Sequence, residues 1–315
     1  MKFRLLLTTV LTAAVIFGCD QKPESTETQT EGRIVVAGSD GAVKMMRRQS
    51  QRFMALYPKS EIVIVGGGSK AGIVALNEGR ARIAVVSRDL TAEEDSIIRL
   101  NGGKAKGYKI AHDGLAVIVN SQNSVRQLTF EQLEKIFTGK VAGWSFAGGS
   151  MGMLAVIPGS NLGSCEYFQK LVMKGAPYSQ KAYPCSTNAQ IVEMVKKYPG
   201  AVGLVPMSCL YSDWDVWPPV KENGIKAVAV GLVRESGSFL PNQKTVNEGN
   251  YPLTHPLYLY VNETLERTYA DGRYSLAHGF ITFVSSNDGQ QILAKQGLVP
   301  STVPVLIKQK NIQSF

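Results

Sequence analysis

The chain has 315 residues, with 44% hydrophobic and 19% charged side chains. That is a globular composition, long enough for two domains, and it excludes a disordered or fibrous chain. Its 34 Lys and Arg against 25 acids give +9, a field that favours anionic ligands, anionic lipid or nucleic acid but says nothing of fold. Past the N-terminus no apolar run approaches about 18 residues, which excludes a polytopic membrane protein. Three histidines and four cysteines, without CxxC or HxxxH, argue against a zinc or haem site, so no metal or cofactor is expected.

Met1 to Gly18 reads as a signal peptide, with Lys2 and Arg4 ahead of a short apolar run from Leu5 to Phe17. The run ends in Ile16-Phe17-Gly18-Cys19, which resembles a bacterial lipobox, with Phe17 bulkier than usual. Cleavage before Cys19 would leave 32 basic residues against 25 acids, or +7. Several acyl chains on Cys19 would give stable membrane attachment, where one would be marginal. Residues 20–32, DQKPESTETQTEG, lack apolar side chains beyond Pro23 and read as a flexible tether.

The folded body starts near Arg33. A strand over 34–37 ends in Gly38-Ser39-Asp40-Gly41. A helix over 43–57, closed by Pro58, follows, with Lys44, Arg47, Arg48 and Arg52 on one face. A strand over 61–65 runs into GGGSKAG at 66–72, then a helix from Ile73 to about Gly79. A strand over 83–86 ends in Ser87-Arg88-Asp89, and Thr91 with Glu94 forms a capping box. GLAVIVN at 114–120 is a further strand. Thr129 and Gln132 cap a helix to Phe137. Then come a strand over 154–157, a loop PGSNLGS at 158–164 and a helix over 166–173. A helix over 189–197, strands over 201–205 and 256–261, and one long final helix near 280–296 complete the body. The alternation of strands and helices predicts an α/β fold with a largely parallel sheet.

One arrangement recurs: a strand end carrying Gly or Ser with a helix close behind, at Ser39, Ser69, Ser87 and Ser164. The first turn of a helix has unpaired N–H groups and a positive dipole end. Glycine admits close approach to the backbone, and serine adds a donor without charge. Several such ends at one cleft would hold a tetrahedral oxyanion, and open α/β sheets bind ligands at the carboxyl ends of their strands. Enzyme motifs are absent. Gly67-Gly68-Ser69-Lys70-Ala71 loosely imitates a nucleophile elbow but has Ala where GxSxG has Gly, leaving a Ser69 hydrolase as a minor alternative. Gly103-Lys104 is followed by Ala105, so there is no Walker A sequence. The basic helix has no interleaved aromatics and predicts no nucleic-acid binding.

Taken together, AGSDGAV (37–43), GGGSKAGI (66–73), IAVVSRDLTAEE (83–94), LTFEQLEKIFTGKVAGW (128–144), YPGAVGLVP (198–206), YPLTHPLYLYVN (251–262) and GFITFVSSNDGQQILAKQGLVP (279–300) carry a resemblance. They resemble the PstS-like phosphate ABC-transporter substrate-binding proteins, in the type II periplasmic binding protein superfamily. The resemblance covers roughly residues 33–304. It implies a two-lobed α/β clamshell, each lobe a mixed, mostly parallel sheet flanked by helices. Lobe one would span 33–113 plus 254–304 and lobe two 114–253, with hinge crossings near Asp113 and Leu253, and 305–315 as a tail. It also implies a monomer, without catalysis, that closes on phosphate or a similar oxyanion and delivers it to an ABC permease and ATPase. The protein would be exported and tethered at Cys19, facing the periplasm or, in a Gram-positive host, the outside.

Carried over by position, the ligand set is Gly38, Ser39, Asp40, Ser69, Lys70, Ala71, Ser87, Arg88, Asn161, Gly163 and Ser164. The sequence departs from the family in lobe two. Where the family has an Arg followed by Ser-Gly-Thr, this chain has Pro158 and then Leu162-Gly163-Ser164. Arg88 would have to supply the missing charge, Ser160 or Asn161 a replacement donor, and Asp40 or Asp89 the carboxylate that accepts a proton from hydrogen phosphate. Losing a bidentate arginine would cost on the order of 1.5–3 kcal/mol. A binder of a different small anion, or a signalling or structural lipoprotein that has lost phosphate, therefore remain alternatives. His255 and Leu204 also stand where the family has Arg and Tyr. Beyond Cys19, an oxidising compartment would allow one disulfide among Cys165, Cys185 and Cys209.

Overall fold

The computed structural model describes residues 27–302, except 150, 161, 211–223, 234, 236, 265 and 267–273. The signal peptide, Cys19, most of the tether, Asn161 and the tail at 305–315 lie outside the described residues. In chain order the first elements are β1 (Gly32–Gly38), α1 (Val43–Leu56), β2 (Ser60–Val65), α2 (Ser69–Asn77), β3 (Ile83–Val86), α3 (Ala92–Leu100) and β4 (Ala105–Asn120). The central part holds β5 (Gln127–Thr129), α4 (Phe130–Phe137), β6 (Leu154–Pro158), α5 (Gly163–Leu171), β7 (Tyr183–Cys185), α6 (Asn188–Lys197), β8 (Ala201–Pro206), β9 (Ile225–Ala227), β10 (Ala229–Gly231) and α7 (Gln243–Asn247). β11 (Thr254–Asn262), α8 (Leu276–Ser285), α9 (Asn287–Lys295) and β12 (Val299–Pro300) close the chain.

The main sheet runs β2-β1-β3-β11-β4-β8-β6-β7, with β9 and β12 also pairing to β4. β1, β2 and β3 are parallel, and β11 is antiparallel to both β3 and β4. Further along, β6 is parallel to β7 and β8, while β4 is antiparallel to β8 and β9. β4 joins the two halves. It pairs with β11 as far as Gly114, then with β8 from Leu115 to Val119. Its 16 residues carry one apolar run, LAVIVN, that is buried throughout, as a strand covered on both faces requires.

Two large apolar cores lie either side of that crossing. One gathers Ile34, Val36, Met46, Phe53, Ile83, Leu259, Phe280 and Val284, with Phe53 set edge-on to Phe280 at 5.5 Å and to Phe283 at 5.6 Å. The other gathers Leu115, Val117, Leu133, Phe137, Trp144, Phe168, Leu204 and Tyr251. Each fully buried aliphatic or aromatic side chain contributes about 1.5–3 kcal/mol, so each half has a core of its own, and the molecule is a two-lobed α/β protein.

Four sequence expectations change. The folded body begins before Arg33, so 20–32 is not all tether: β1 starts at Gly32, and Glu27 accepts from Leu276 N–H at 3.0 Å and pairs with Arg82. α2 begins at Ser69, not Ile73, and α5 at Gly163, not Glu166. Both starts lack the side-chain cap that marks a helix N-terminus in sequence. The single helix expected over 280–296 is two helices. Ser286 is extended (φ −72°, ψ 169°), ending α8 and capping α9 through Gly289 N–H. The corner is so tight that a Cβ on Gly289 would lie 2.3 Å from the Phe283 carbonyl oxygen.

Candidate functional site

The serine-bearing loops converge where the lobes meet. β1 ends in Gly38, whose φ of +145° lets Ser39 N–H reach the Val85 carbonyl at 2.8 Å. A 3-10 turn (Asp40–Ala42) then leads into α1. α2 starts at Ser69 against this loop: a Cβ on Gly72 would stand 2.6 Å from Gly38 Cα, so glycine at both places lets helix and strand end touch. Ser69 Oγ lies 3.1 Å from Ser87 Oγ and accepts from Ser87 N–H at 3.1 Å. From the other lobe, the first turn of α5 comes down on this pair. A Cβ on Gly163 would lie 2.5 Å from Ser87 Oγ and 2.6 Å from Ser69 Oγ. Ser39, Ser69, Ser87 and Ser164 are all buried. Lobe contact continues at Gly41, where a Cβ would meet Pro206 Cγ at 2.9 Å.

The capping pattern singles these loops out. α3, α4, α6 and α7 begin with capping boxes, and α8 and α9 with serine caps. α1, α2 and α5 have no side-chain cap. Thus among the described α-helices, those without a cap are the ones that open onto the cleft. No capping side chain takes up their first-turn amides, although in α1 the preceding 3-10 turn engages Val43 N–H with the Asp40 carbonyl, so it is α2 and α5 that leave donors for an anion.

Other sequence-selected residues take different positions. Lys70 and Ala71 lie in the first turn of α2 with exposed side chains. Asp40 Oδ1 faces the Gly66 backbone, 3.3 Å from where a Cβ would be. Arg88 is not aimed at the serines. Its guanidinium holds Glu94 with two bonds of 2.8 Å, donates through Nε to Glu166 at 2.8 Å and reaches the Asp89 carbonyl at 2.9 Å. Burial works against the charge on Glu94, but Arg88 and the Thr91 amide outweigh it and hold this carboxyl below its ordinary range. Cys165, Cys185 and Cys209 are all free thiols, so the disulfide expected as one possibility is not formed. Sequence reasoning missed Asn188. It sits buried at the start of α6 with Oδ1 unpartnered and Nδ2 3.7 Å from the Gly41 Cβ position. Thr187 and Gln190 mark that helix start in the sequence, but nothing there says it faces the first loop.

Beside the cleft, a groove of about 730 Å³ spans both lobes, lined by Lys70, Ile73, Ile97, Arg88, Glu166 and Lys174 among others. No described residues form a cluster of His, Cys, Asp and Glu able to hold a metal. No helix among them is long and apolar enough to cross a membrane.

The comparisons extend over most of the chain. A family model for the PBP superfamily domain matches residues 23–288. The chain belongs to the PBP superfamily. Among relatives of this PBP-superfamily chain, the phosphate-binding protein PstS of Bacillus subtilis is 26% identical over 280 residues, 88% of this chain and 83% of that protein. PstS of Pseudomonas aeruginosa is 26% identical over 300 residues, 90% and 87% of the two chains. A Clostridium perfringens crystal structure with bound phosphate, assigned as a phosphate ABC transporter substrate-binding protein, superposes with a TM-score of 0.71 at 26% identity, covering 86% of this chain and all of that one. A Vibrio cholerae ABC-type phosphate transport receptor superposes at 0.64 with 23% identity, covering 85% and 100%.

Where β4 changes partners there is a buried polar cluster. Asp113 and His255 face each other across the β4–β11 ladder. Asp113 accepts from Ser208 N–H at 3.2 Å and from Ser208 Oγ. His255 packs edge-on to Tyr167 at 5.3 Å, its Nε2 is buried without a partner, and Tyr167 OH donates to the Thr254 carbonyl at 2.7 Å. Burial pushes Asp113 up and His255 down, while Asp113 pulls His255 the other way. His112 is also lowered, by burial and then Lys109. A histidine held below its ordinary value of about 6.5 protonates first in the unfolded chain as pH falls. The stability it contributes is complete above that value and is lost as pH drops below it. Asp113, raised by burial, has the opposite sign: stability falls as pH climbs above the ordinary Asp value of about 3.9. His255 contributes a term that rises with pH, so His255→Phe is expected to make the slope of the urea midpoint between about pH 5 and about pH 8 less positive than the parent's. An unchanged slope would place the titration elsewhere.

Proposed function

We propose that this chain is an exported solute-binding lipoprotein that captures phosphate, or a similar small oxyanion, between its lobes for an ABC importer. The observation that carries the reading is the set of uncapped helix starts at α1, α2 and α5 meeting over Ser39, Ser69, Ser87 and Ser164. The PstS relatives and the phosphate-bound neighbour support it.

In this reading lobe one is 33–113 plus 254–304 and lobe two 114–253, with hinges at Asp113–Gly114 and near Leu253. The anion is dehydrated and held by hydroxyls and first-turn amides of Ser39, Asp40, Ser69, Lys70, Ala71, Ser87, Gly163 and Ser164, with Gly38 giving the first loop its shape. Charge-assisted donors of this kind are roughly twice as strong as neutral ones. A ligand with fewer acceptor oxygens leaves buried donors unpaired, at about 1–3 kcal/mol each. Asp40 is the carboxylate that would accept a hydrogen bond from the P–OH of hydrogen phosphate. No bond in the ligand is made or broken. Cys19 carries the lipid, the residues between it and Glu27 the tether, and a monomer docks on the permease.

Arg88, the guanidinium nearest the serines in sequence, is already held by two carboxylates, and this favours one second reading, a binder of another small oxyanion. Calorimetric titration of the chain from Cys19 onward, with Cys19→Ser, against phosphate and sulfate decides between them. Saturable phosphate heat, weakened about tenfold in Ser69→Ala, is the expected result. No heat with phosphate but saturation with another anion would replace the ligand, and no heat with any would leave only a signalling or structural role.

A further inference from the structure

Arg88 is heavily engaged beside the cleft. Glu94 binds both of its Nη atoms at 2.8 Å from within lobe one, and Glu94 is itself fixed by the Thr91 amide at 2.9 Å. The Arg88 side chain is 11% exposed, and within lobe one it is held by Glu94 and by the Asp89 carbonyl at 2.9 Å. Its Nε then projects to Glu166, in the first turn of α5 on lobe two, at 2.8 Å. The Glu166 side chain is 38% exposed, and Arg88 is its cationic partner among the described residues. The pair therefore joins a pre-set donor on one lobe to an acceptor that arrives with the other. It stands next to the serine cluster on both sides, since Arg88 follows Ser87 and Glu166 lies two residues after Ser164.

We infer that Arg88 and Glu166 form a latch between the lobes, and that Arg88 is a positioning residue holding the closed state instead of the anion's counter-charge. This rests on the oxyanion reading of the cleft and names the contact that sets how long the ligand stays. The physical reason is the order of events. An anion enters while the lobes are apart and Glu166 is away from Arg88; in the unliganded protein the latch closes only about half of the molecules, enough to lower the mean radius but to slow encounter by no more than about twofold. Release requires the lobes to separate, and the charge-assisted bond of Nε to Glu166 must break first. Such a contact acts on the off-rate, where most affinity differences within one interface are found. Two carboxylates on one guanidinium also leave little positive potential for a further anion, so the ligand depends on neutral donors.

The test separates the latch from the ligand reading. Small-angle scattering of the chain without added anion reads closure directly. Glu166→Gln is expected to have a larger radius of gyration than the parent, and screening by about 1 M NaCl to enlarge the parent but not the variant. Equal radii at low and high salt would overturn the latch, whatever the protein binds. With inorganic phosphate as the probe, stopped-flow rates are expected to show the Glu166→Gln off-rate up by about tenfold and the on-rate within about twofold of the parent. A double-mutant cycle with Arg88→Gln completes it. A latch makes Arg88→Gln nearly silent in the Glu166→Gln background. A counter-charge role makes it cost the same in both backgrounds and lowers the on-rate, which would overturn the inference. Where Arg88→Gln does not fold, Arg88→Lys keeps the charge but loses the fork to Glu94 and Glu166, and the same off-rate comparison applies.

Discussion

Replacing Gly163 by alanine is expected to weaken anion binding by about ten- to a hundredfold while leaving the unliganded fold intact. The added methyl would stand 2.5 Å from Ser87 Oγ and 2.6 Å from Ser69 Oγ. Both oxygens are hydroxyl ends that rotate, but they are buried and lie 3.1 Å apart, bonded to each other. The methyl either turns both donors away from the cleft or holds α5 off lobe one. Each route removes one or more charge-assisted hydrogen bonds, about 1.5–3 kcal/mol each, which corresponds to about one to two decades or more in Kd. Alanine is the better helix residue, by up to about 1 kcal/mol, so the free protein should melt no earlier than the parent. Calorimetry with phosphate and thermal melting of the unliganded chain check the two halves. Parent-like affinity would show that the lobes do not meet at Gly163 in the liganded state.

Gly38→Ala is expected to have the largest effect on stability. Gly38 ends β1 with φ +145°, a region L side chains rarely adopt, and its Cβ would lie 2.1 Å from the Val85 carbonyl oxygen and 2.8 Å from Val85 N. These are backbone atoms of the neighbouring β3 strand, which cannot rotate away. The same carbonyl accepts from Ser39 N–H, so relief means breaking the first cleft loop. Strain at such a position costs about 1–3 kcal/mol by itself. With the steric overlap the total is expected to exceed about 4 kcal/mol, among the large single-residue effects. Urea unfolding measures it. A loss below about 1 kcal/mol would mean that β1 and β3 separate here at little cost.

Much of the site was already legible as residue type. Ser39, Ser69, Ser87 and Ser164 were selected from Gly/Ser loops behind strands, and they come together because parallel strands bring their carboxyl ends to one edge. Thr91 with Glu94 and Thr129 with Gln132 marked helix starts correctly, since a capping box is local chemistry. α2 and α5 began earlier than expected for the complementary reason: no side chain caps them, so no local signal marks their first turns. Arg88 shows the limit most clearly. Its type and neighbours fit an anion's counter-charge, yet its partners are Glu94, six residues on, and Glu166, 78 residues on in the other lobe.

By itself the sequence determined the alternation of strands and helices, the apolar run that becomes the centre of β4, the glycines that permit close approach and the hydroxyls that supply donors. These follow from periodicity, caps and backbone freedom, which act within a few residues. Only the tertiary structure decided which donors meet, that Gly163 closes on Ser69 and Ser87, that Asp113 and His255 are buried together where β4 changes partners, and that Arg88 is spent on two carboxylates. Those outcomes depend on strand order and on the meeting of two lobes, and a charge's role is fixed by whichever partner the fold brings within about 3 Å of it.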